Sequence, residues 1–115
     1  MDAARLRRTR DIAAVRAVRP TLSDRHLSAR AIPNNLGVAR IAVAVPRDVG
    51  TAVRRNRARR RLREAVRVAL RERTGAGVDI VLVARKPAIS APPRDLGASV
   101  RAALDAALSL MSGQR

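Results

Sequence analysis

The seven residues Val78–Ala84 (VDIVLVA) form a nearly continuous apolar run. A short apolar run without polar alternation is typical of a central strand that is buried on both faces. The residues that can bury it are restricted, because the chain contains no Phe, Trp or Tyr. Val, Leu, Ile and Ala must therefore build the whole core. Such a core buries less apolar area per residue than one that contains aromatic side chains.

The first third of the chain predicts a helix, a strand and a turn. A helix is expected over residues 10–18, because the Thr9 hydroxyl can cap its free N–H groups and Asp11 complements the positive end of its dipole. Residues 26–32 then have the mixed polarity of a strand. Residues 33–37 (PNNLG) are rich in residues that favour turns.

The remaining pattern predicts a strand, a long helix and a final helix around the central strand. Residues 40–45 alternate, which places Ile41, Val43 and Val45 on one face. A helix is expected from the N-cap Thr51 to residue 73, a length of roughly 33 Å. The last helix carries an apolar stripe typical of core packing: Leu96, Val100, Leu104, Ala107, Leu108 and Met111. With one further short strand, the order is αβββαβα, and the class is α+β (an α/β sandwich) in one domain over residues 1–115.

The charge of the chain indicates a polyanionic partner. Its 25 Lys and Arg residues outnumber its 9 Asp and Glu residues, which gives a formal net charge of +16 and a pI near 12.0. Nucleic acid and an anionic membrane surface are the main candidates. A GC-rich genome explains Arg in place of Lys, since Lys86 is the only lysine, but not the excess of basic over acidic residues.

Several functional classes are excluded by residue counts. The chain has no Cys and a single His, His26, so disulfides, a thiolate nucleophile, Cys-ligated zinc and His pairs are excluded. No apolar run reaches the roughly 18 residues that a membrane span needs, and the basic N-terminal segment is not followed by an apolar signal region. We therefore expect a cytoplasmic protein that is not bound to a membrane.

The long helix separates its apolar and basic residues. At about 100° per residue, one arc faces the sheet; it contains Ala58, Leu62, Ala65, Val66 and Ala69. The opposite arc, called here the arginine ridge, contains Asn56, Arg60, Arg63, Arg67 and Arg71. Four further arginines border the ridge: Arg55 and Arg59 on one side, and Arg57 and Arg61 on the other.

A ridge of one sign predicts RNA or DNA binding better than it predicts a merely solvated surface. Solvated helix faces usually mix charges and gain ion pairs between successive turns, whereas like charges repel until a polyanion arrives. Arginine can bridge two phosphate oxygens, and Asn56 adds an uncharged donor and acceptor for a base edge or a 2′-hydroxyl. The helix can therefore combine phosphate binding with some local recognition.

The start of this helix resembles the RNR signature of the bacterial ribonuclease P protein component. In that signature a Gly and an Ala-Val pair precede Arg-Asn, a basic pair and Arg-Glu. The matching positions are Gly50, Ala52, Val53, Arg55, Asn56, Arg59, Arg60, Arg63 and Glu64. The resemblance covers almost the whole chain, because it also includes Arg5-Leu6, Asp11, Arg40-Ile41, Asp79-Ile80-Val81 and Arg85.

The resemblance implies a small mixed sheet with helices, like the second domain of ribosomal protein S5. In this fold the basic helix is a left-handed crossover between parallel strands, although general rules favour a right-handed one. The implied function is that of a ribonucleoprotein endonuclease subunit that helps to remove the 5′ leader from precursor tRNA. The implied partners are ribonuclease P RNA and precursor tRNA, with one protein monomer per RNA.

The resemblance also implies where the chemistry takes place and which residues bind RNA. The catalytic subunit is RNA, with Mg²⁺ held mainly by that RNA, so neither catalytic nor metal-binding residues are expected in the protein. The expected RNA-binding residues are Arg55, Asn56, Arg57, Arg59, Arg60, Arg63, Arg67 and Arg71. A cleft for the leader, between the first helix and the central sheet, is expected to involve Arg8, Arg10, Ile12, Arg16 and His26.

The chain departs from the family pattern mainly in its missing aromatic residues. Ile12 stands where an aromatic residue usually follows the Asp of the first helix, and His26, Leu27 and Ala29 replace aromatic residues on the first strands. Asp48 replaces a basic residue, and Ala42 stands where Gly is usual. These differences concern the leader cleft rather than docking on the RNA.

Other functions remain open at this stage. A non-enzymatic ribosomal-type protein that binds rRNA would share the charge and the basic helix. A cationic membrane binder would need bulky apolar residues opposite the arginines, where this helix has mainly Ala. Non-specific DNA binding is compatible with the charge, but no helix-turn-helix pattern precedes the basic helix. On its own, His26 is expected to be a surface or strand residue, and Asp79 to be structural.

Overall fold

A five-stranded mixed sheet with three α-helices forms the protein in the computed structural model, which describes residues 3–73 and 77–112. The helices and strands, in chain order, are β1 (Ala3–Arg5), α1 (Thr9–Arg16), β2 (Leu22–Ser23), β3 (Leu27–Pro33), β4 (Ala39–Ala44), α2 (Ala52–Leu70), β5 (Val78–Ala84) and α3 (Pro93–Ser112). Two 3-10 turns, Arg47–Val49 and Lys86–Ile89, lie before α2 and after β5.

The strand order is β1-β4-β5-β3-β2, which places β5 at the centre as predicted from its apolar run. β4 pairs in parallel with both β1 and β5, whereas β3 pairs antiparallel with β5 and β2. The predicted order αβββαβα and the α+β class are confirmed from α1 onward. The sequence prediction missed β1, because its three residues (AAR) have no strand pattern of their own and are held by pairing with residues 39–41.

Both faces of the sheet are covered, but by different helices. Side chains of one face, including Ile80 and Leu82, join Leu62 of α2 and Leu104 of α3 in the larger core. On the other face, Val81 packs with Leu6 and with Val15 of α1 in a smaller core. Helix α1 therefore packs on one face of the sheet, and α2 and α3 pack on the other.

The helix α2 connects β4 to β5, which are adjacent and parallel. This is the crossover that the family resemblance implies, and its left-handed sense stays a prediction. Both ends of α2 are thus held by strands in the middle of the sheet, so the position of its basic face follows from the sheet.

Helix boundaries differ in detail from the sequence predictions. Thr9 is the first residue of α1 rather than its cap; Arg8 occupies the N-cap position, and its side chain makes no capping hydrogen bond. Since α1 ends at Arg16, it is shorter than predicted. The turn after β3 is confirmed by Asn35, whose φ of 56° is the left-handed conformation that Asn tolerates.

Candidate RNA-binding interface

Two residues fix the start of α2. Gly50 has a φ of 150°, and a Cβ there would lie 3.1 Å from Cδ of Arg54, so a side chain would be strained and crowded. Thr51 is the predicted N-cap, and its side chain accepts a hydrogen bond from the Arg54 backbone N–H at 3.3 Å. The helix then continues to Leu70 rather than to residue 73.

The apolar arc of α2 faces the core as predicted. Ala58 and Leu62 are fully buried, Val66 and Ala69 are buried, and Ala65 is half-buried. The side chains of the arginine ridge are all exposed on the opposite arc: Asn56, Arg60, Arg63, Arg67 and Arg71. Among the bordering residues, Arg57 is exposed, whereas Arg55 and Arg59 are half-buried. Six of the eight predicted RNA-binding residues are therefore exposed on the accessible side of α2, and Arg55 and Arg59 are half-buried at its border.

Arg63 lies close enough to two other arginines to feel their positive charges. Partial burial lowers the pKa of Arg63, and the neighbouring charges of Arg5 and Arg59 lower it further. Arg5 belongs to β1, so the strand that the sequence prediction missed adds a positive charge to the interface. Repulsion among these three guanidinium groups favours an anion such as phosphate beside them.

The ridge is partly neutralised at Arg67. Its guanidinium donates to both carboxylate oxygens of Glu64, at 2.5 and 3.0 Å. Hydrogen bonding to Arg67 lowers the pKa of Glu64, and the same hydrogen bonding raises the pKa of Arg67. Both side chains are more than half exposed, so the pair contributes little to stability.

Asn56, in the first turns of α2, is held by a neighbouring arginine. Its Oδ1 accepts a hydrogen bond from Arg59 at 2.8 Å, which orients Asn56 on the surface.

Arg61 has a structural role that sequence reasoning missed. Its guanidinium donates to the backbone carbonyls of Ala88 and Ile89 at 2.9 and 2.7 Å, and also to that of Ala91. These carbonyls belong to the turn between β5 and α3. Arg61 therefore ties α2 to this turn, and nothing in the local pattern of the helix distinguishes it from the arginines that face solvent.

Ile12 of α1 lies beside the arginine ridge. A groove of about 390 Å³, called here the α1–α2 groove, contains Ile12 on one side and Arg63 and Arg67 on the other. Its remaining lining comes from β1, the following Leu6, β4 and the buried side of α2: Ala4, Arg5, Leu6, Ile41, Ala42, Val43, Val66 and Leu70. Ile12 thus provides an apolar wall in the same groove as two guanidinium groups.

Three other residues predicted for the leader cleft, Arg8, Arg10 and Arg16, lie outside the groove that contains Ile12. Arg8, Arg10 and Arg16 are exposed on or beside α1, but none of them lines the α1–α2 groove. Arg10 also lies 4.0 Å from the carboxylate of Asp11. These three arginines form a basic surface near the groove rather than its wall.

The assignment of His26 to the leader cleft is wrong. His26 is only 8% exposed, and its Nδ1 lies 2.8 Å from the hydroxyl of Ser99 on α3. It therefore packs on the side of the sheet that faces α3, whereas Ile12 packs on the opposite side. Asp24 accepts hydrogen bonds from the backbone N–H groups of His26 and Leu27, which fixes this arrangement at the start of β3.

Asp79 lies buried in the sheet, and the structural role expected for it stays a prediction. It is 3% exposed and forms an ion pair with Arg40.

Within residues 3–73 and 77–112, no three His, Cys, Asp or Glu side chains are placed to hold a metal ion. In the same part of the chain, no helix is both long enough and apolar enough to cross a bilayer.

An exposed arginine ridge on the crossover helix of a mixed sheet is typical of an RNA-binding protein. The model of the family described as Ribonuclease P matches residues 1–108. The chain therefore belongs to the ribonuclease P protein family.

Individual relatives agree with this assignment. The chain is similar to the ribonuclease P protein component of Pelotomaculum thermopropionicum, with 42% identity over 81 residues, which are 70% of this chain and 71% of that protein. The match to the same component of Bartonella quintana reaches 54% identity over 55 residues, but it covers only 48% of this chain and 41% of that protein. The structure of the Staphylococcus aureus RNase P protein aligns with a TM-score of 0.73 and 23% identity, over 90% of this chain and 94% of that one, which supports the fold.

Proposed function

We propose that this protein is the protein subunit of ribonuclease P, which removes the 5′ leader of precursor tRNA to give the mature 5′ end. The observation that carries the proposal is the arginine ridge, an exposed and mainly basic face on the helix whose start matches the family signature. The family match favours this function over that of a ribosomal-type protein that binds rRNA. The same proposal places the protein in the bacterial cytoplasm, where precursor tRNA is processed.

In the proposed enzyme, α2 docks on ribonuclease P RNA. Arg60 and Arg63 bind phosphates, and Asn56 contributes a neutral polar contact. Because the apolar arc of α2 is fixed in the core, the helix presents these groups without having to order itself on binding. The proposed assembly contains one protein monomer per RNA.

The leader of precursor tRNA is proposed to pass along the α1–α2 groove. Ile12 offers an apolar wall for a base, while Arg63 and Arg67 lie across the groove and can bind the backbone. Arg8, Arg10 and Arg16 extend the positive surface along α1. Since the groove has no aromatic side chain, the leader is held more by phosphate contacts than by stacking.

The Mg²⁺ that the family resemblance implies is proposed to belong to the RNA subunit. The described carboxylates do not fit a metal site, because Asp79 is paired with Arg40 and Glu64 with Arg67. The chain also lacks Cys, and its one His is hydrogen-bonded to Ser99. The proposal therefore assigns the cleavage chemistry to the RNA and leaves RNA docking and leader binding to the protein.

Reconstitution tests the proposed function. Ribonuclease P RNA from the same bacterium is assayed for cleavage of precursor tRNA at low Mg²⁺, with and without the protein. We expect the wild-type protein to increase cleavage at the mature 5′ end. Arg63→Ala should reduce this increase, whereas Arg19→Ala, in the exposed loop after α1, should preserve it. Wild-type protein that leaves the cleavage rate unchanged over a wide concentration range would contradict the proposal.

A further inference from the structure

A second groove lies on the other side of α2, between this helix and the first turns of α3. This α2–α3 groove has a volume of about 560 Å³. Its apolar lining consists of Ala65 and Val68 from α2 and of Pro93 and Leu96 from α3. Val68 is 44% exposed, which makes it one of the few large apolar side chains of the described structure that are open to solvent. The groove thus offers an accessible apolar floor.

The edges of the α2–α3 groove are positively charged. Arg60, Arg94 and Arg101 line it, and within the described residues none of the three forms an ion pair. The one carboxylate at its edge, Glu64, is already bound by Arg67. The edge therefore keeps a net positive charge above an apolar floor.

The guanidinium of Arg101 lies over Gly97, one turn earlier in α3. A Cβ built on Gly97 would lie 3.2 Å from Nη1 of Arg101, so the guanidinium packs over the bare helix backbone. A planar guanidinium can stack on a base as an aromatic ring does. In a chain without Phe, Trp or Tyr, and with its one His buried, arginine is the side chain that can provide such stacking.

We propose that the α2–α3 groove binds one unpaired nucleotide of the RNA subunit. Its base lies on the apolar floor beside the guanidinium of Arg101, and its phosphate lies near Arg60 and Arg94. Arg60 also belongs to the arginine ridge, so the groove is continuous with the surface proposed to dock on RNA. The inference rests on that proposed function and extends the RNA contact from α2 to α3. The leader is a less suitable occupant, because the α1–α2 groove lies on the opposite flank of α2.

Affinity measurements test the groove separately from the ridge. The dissociation constant of the protein for ribonuclease P RNA is measured at fixed salt for Arg101→Ala, Gly97→Ala, Arg63→Ala and Arg19→Ala. Losing one stacked base predicts at least about a fivefold weaker complex for Arg101→Ala. Gly97→Ala should also weaken binding, because the added methyl displaces the guanidinium, while the unfolding temperature stays equal or rises since Ala favours helix.

The two controls separate the possible failures. Unchanged affinity for Arg101→Ala and Gly97→Ala, together with weaker binding by Arg63→Ala, would overturn the groove proposal alone. If Arg63→Ala also bound RNA with wild-type affinity, both the groove proposal and the proposed docking of α2 would be overturned. A loss of affinity by Arg19→Ala equal to that of Arg101→Ala would indicate a general charge effect and would also overturn the groove proposal.

Crosslinking identifies the occupant. Because the chain has no Cys, Val68→Cys introduces a single thiol in the groove that can carry a photoreactive group. In the complex with ribonuclease P RNA and precursor tRNA, we expect crosslinks concentrated at an unpaired nucleotide of the RNA subunit. The same group at Arg19→Cys should not react at that nucleotide. Crosslinks to the leader, or to no RNA at all, would contradict the proposed occupant.

Discussion

The carboxylate of Asp79 accepts two hydrogen bonds from the guanidinium of Arg40, at 2.8 and 2.6 Å, between directly paired positions of the parallel strands β4 and β5. Asn34 donates a third at 2.7 Å, and Asp11 of α1 lies 3.5 Å from the same guanidinium. The Asp79 side chain is 4% exposed and that of Arg40 is 25% exposed. This network therefore joins the sheet, the turn after β3 and α1, and hydrogen bonding to Asp79 raises the pKa of Arg40.

Asp79→Asn is expected to lower stability but not to abolish cleavage. Removing one charge leaves Arg40 without its main partner, and losing one member of a buried ion pair typically costs about 3 kcal/mol. Urea unfolding measures this change, with Asp105→Asn as the control, because the Asp105 side chain is 61% exposed and its pair with Arg73 should contribute less than about 1 kcal/mol. Equal effects of the two variants, or loss of cleavage in a folded and assembled enzyme, would contradict the structural role.

Arg61→Ala is expected to lower stability and Arg63→Ala to lower RNA affinity, although the two residues lie only two positions apart. Arg61→Ala removes the hydrogen bonds to the turn before α3 and should lower the free energy of unfolding by about 1 to 3 kcal/mol. Arg63→Ala should leave stability nearly unchanged and weaken RNA binding by about 1 to 3 kcal/mol. Denaturant unfolding and an RNA binding titration are needed for each variant. A larger loss of stability in Arg63→Ala would show that the two faces have been assigned wrongly.

RNA binding should depend strongly on salt. Each phosphate that an arginine neutralises releases close to one counterion, so the logarithm of affinity falls steeply with the logarithm of salt concentration. The slope is measured for wild type and for Arg60→Ala, and removal of one phosphate contact should reduce it by about one. An affinity that does not change with salt is incompatible with binding through the arginine ridge.

Ile12→Phe should improve discrimination between precursor and mature tRNA. Ile12 is half-buried in the wall of the α1–α2 groove, so a ring there can stack on a leader base and tighten precursor tRNA by up to about 1 kcal/mol. The ratio of the two affinities is measured for the assembled enzyme at fixed salt, with Ile12→Ala for comparison. If neither variant changes the ratio, Ile12 does not contact the leader.

The start of β3 should lose stability in acid. Burial alone would raise the pKa of Asp24, but hydrogen bonds from the backbone of His26, the Ser99 side chain and the backbone of Leu27 outweigh it and lower the pKa below 3.8. The folded protein therefore favours the ionised carboxylate. Its contribution is complete above the unfolded pKa and disappears as the pH falls through the lower folded value. Asp24→Asn should be less stable than wild type at pH 6, and this difference should shrink in unfolding experiments below pH 3.8. A difference that stays constant with pH would argue against this linkage.

The sequence predicted those parts of the molecule whose pattern has a simple period. The apolar arc of α2, with Leu62 at its centre, and the central strand β5 are both where their patterns placed them. β1 was missed, because three residues with no alternation become a strand only when β4 lies beside them. His26 was misplaced for a related reason, since its contact with Ser99 spans 73 positions in the chain. The role of Arg61 likewise depends on its hydrogen bond to Ala88, in the turn after β5. Helical spacing within α2 cannot reveal such a contact.

The attachment of α2 to two adjacent central strands makes its length a constraint on evolution. Each residue turns a helix by about 100° and advances it by about 1.5 Å. One inserted residue near Arg59 would therefore rotate everything between it and β5, so that either Leu62 would face solvent or Arg63 would face the core. Exchanges among basic residues on the ridge leave this phase intact. Related chains should accordingly vary in the loops on either side of α2 long before they gain or lose a single residue within it.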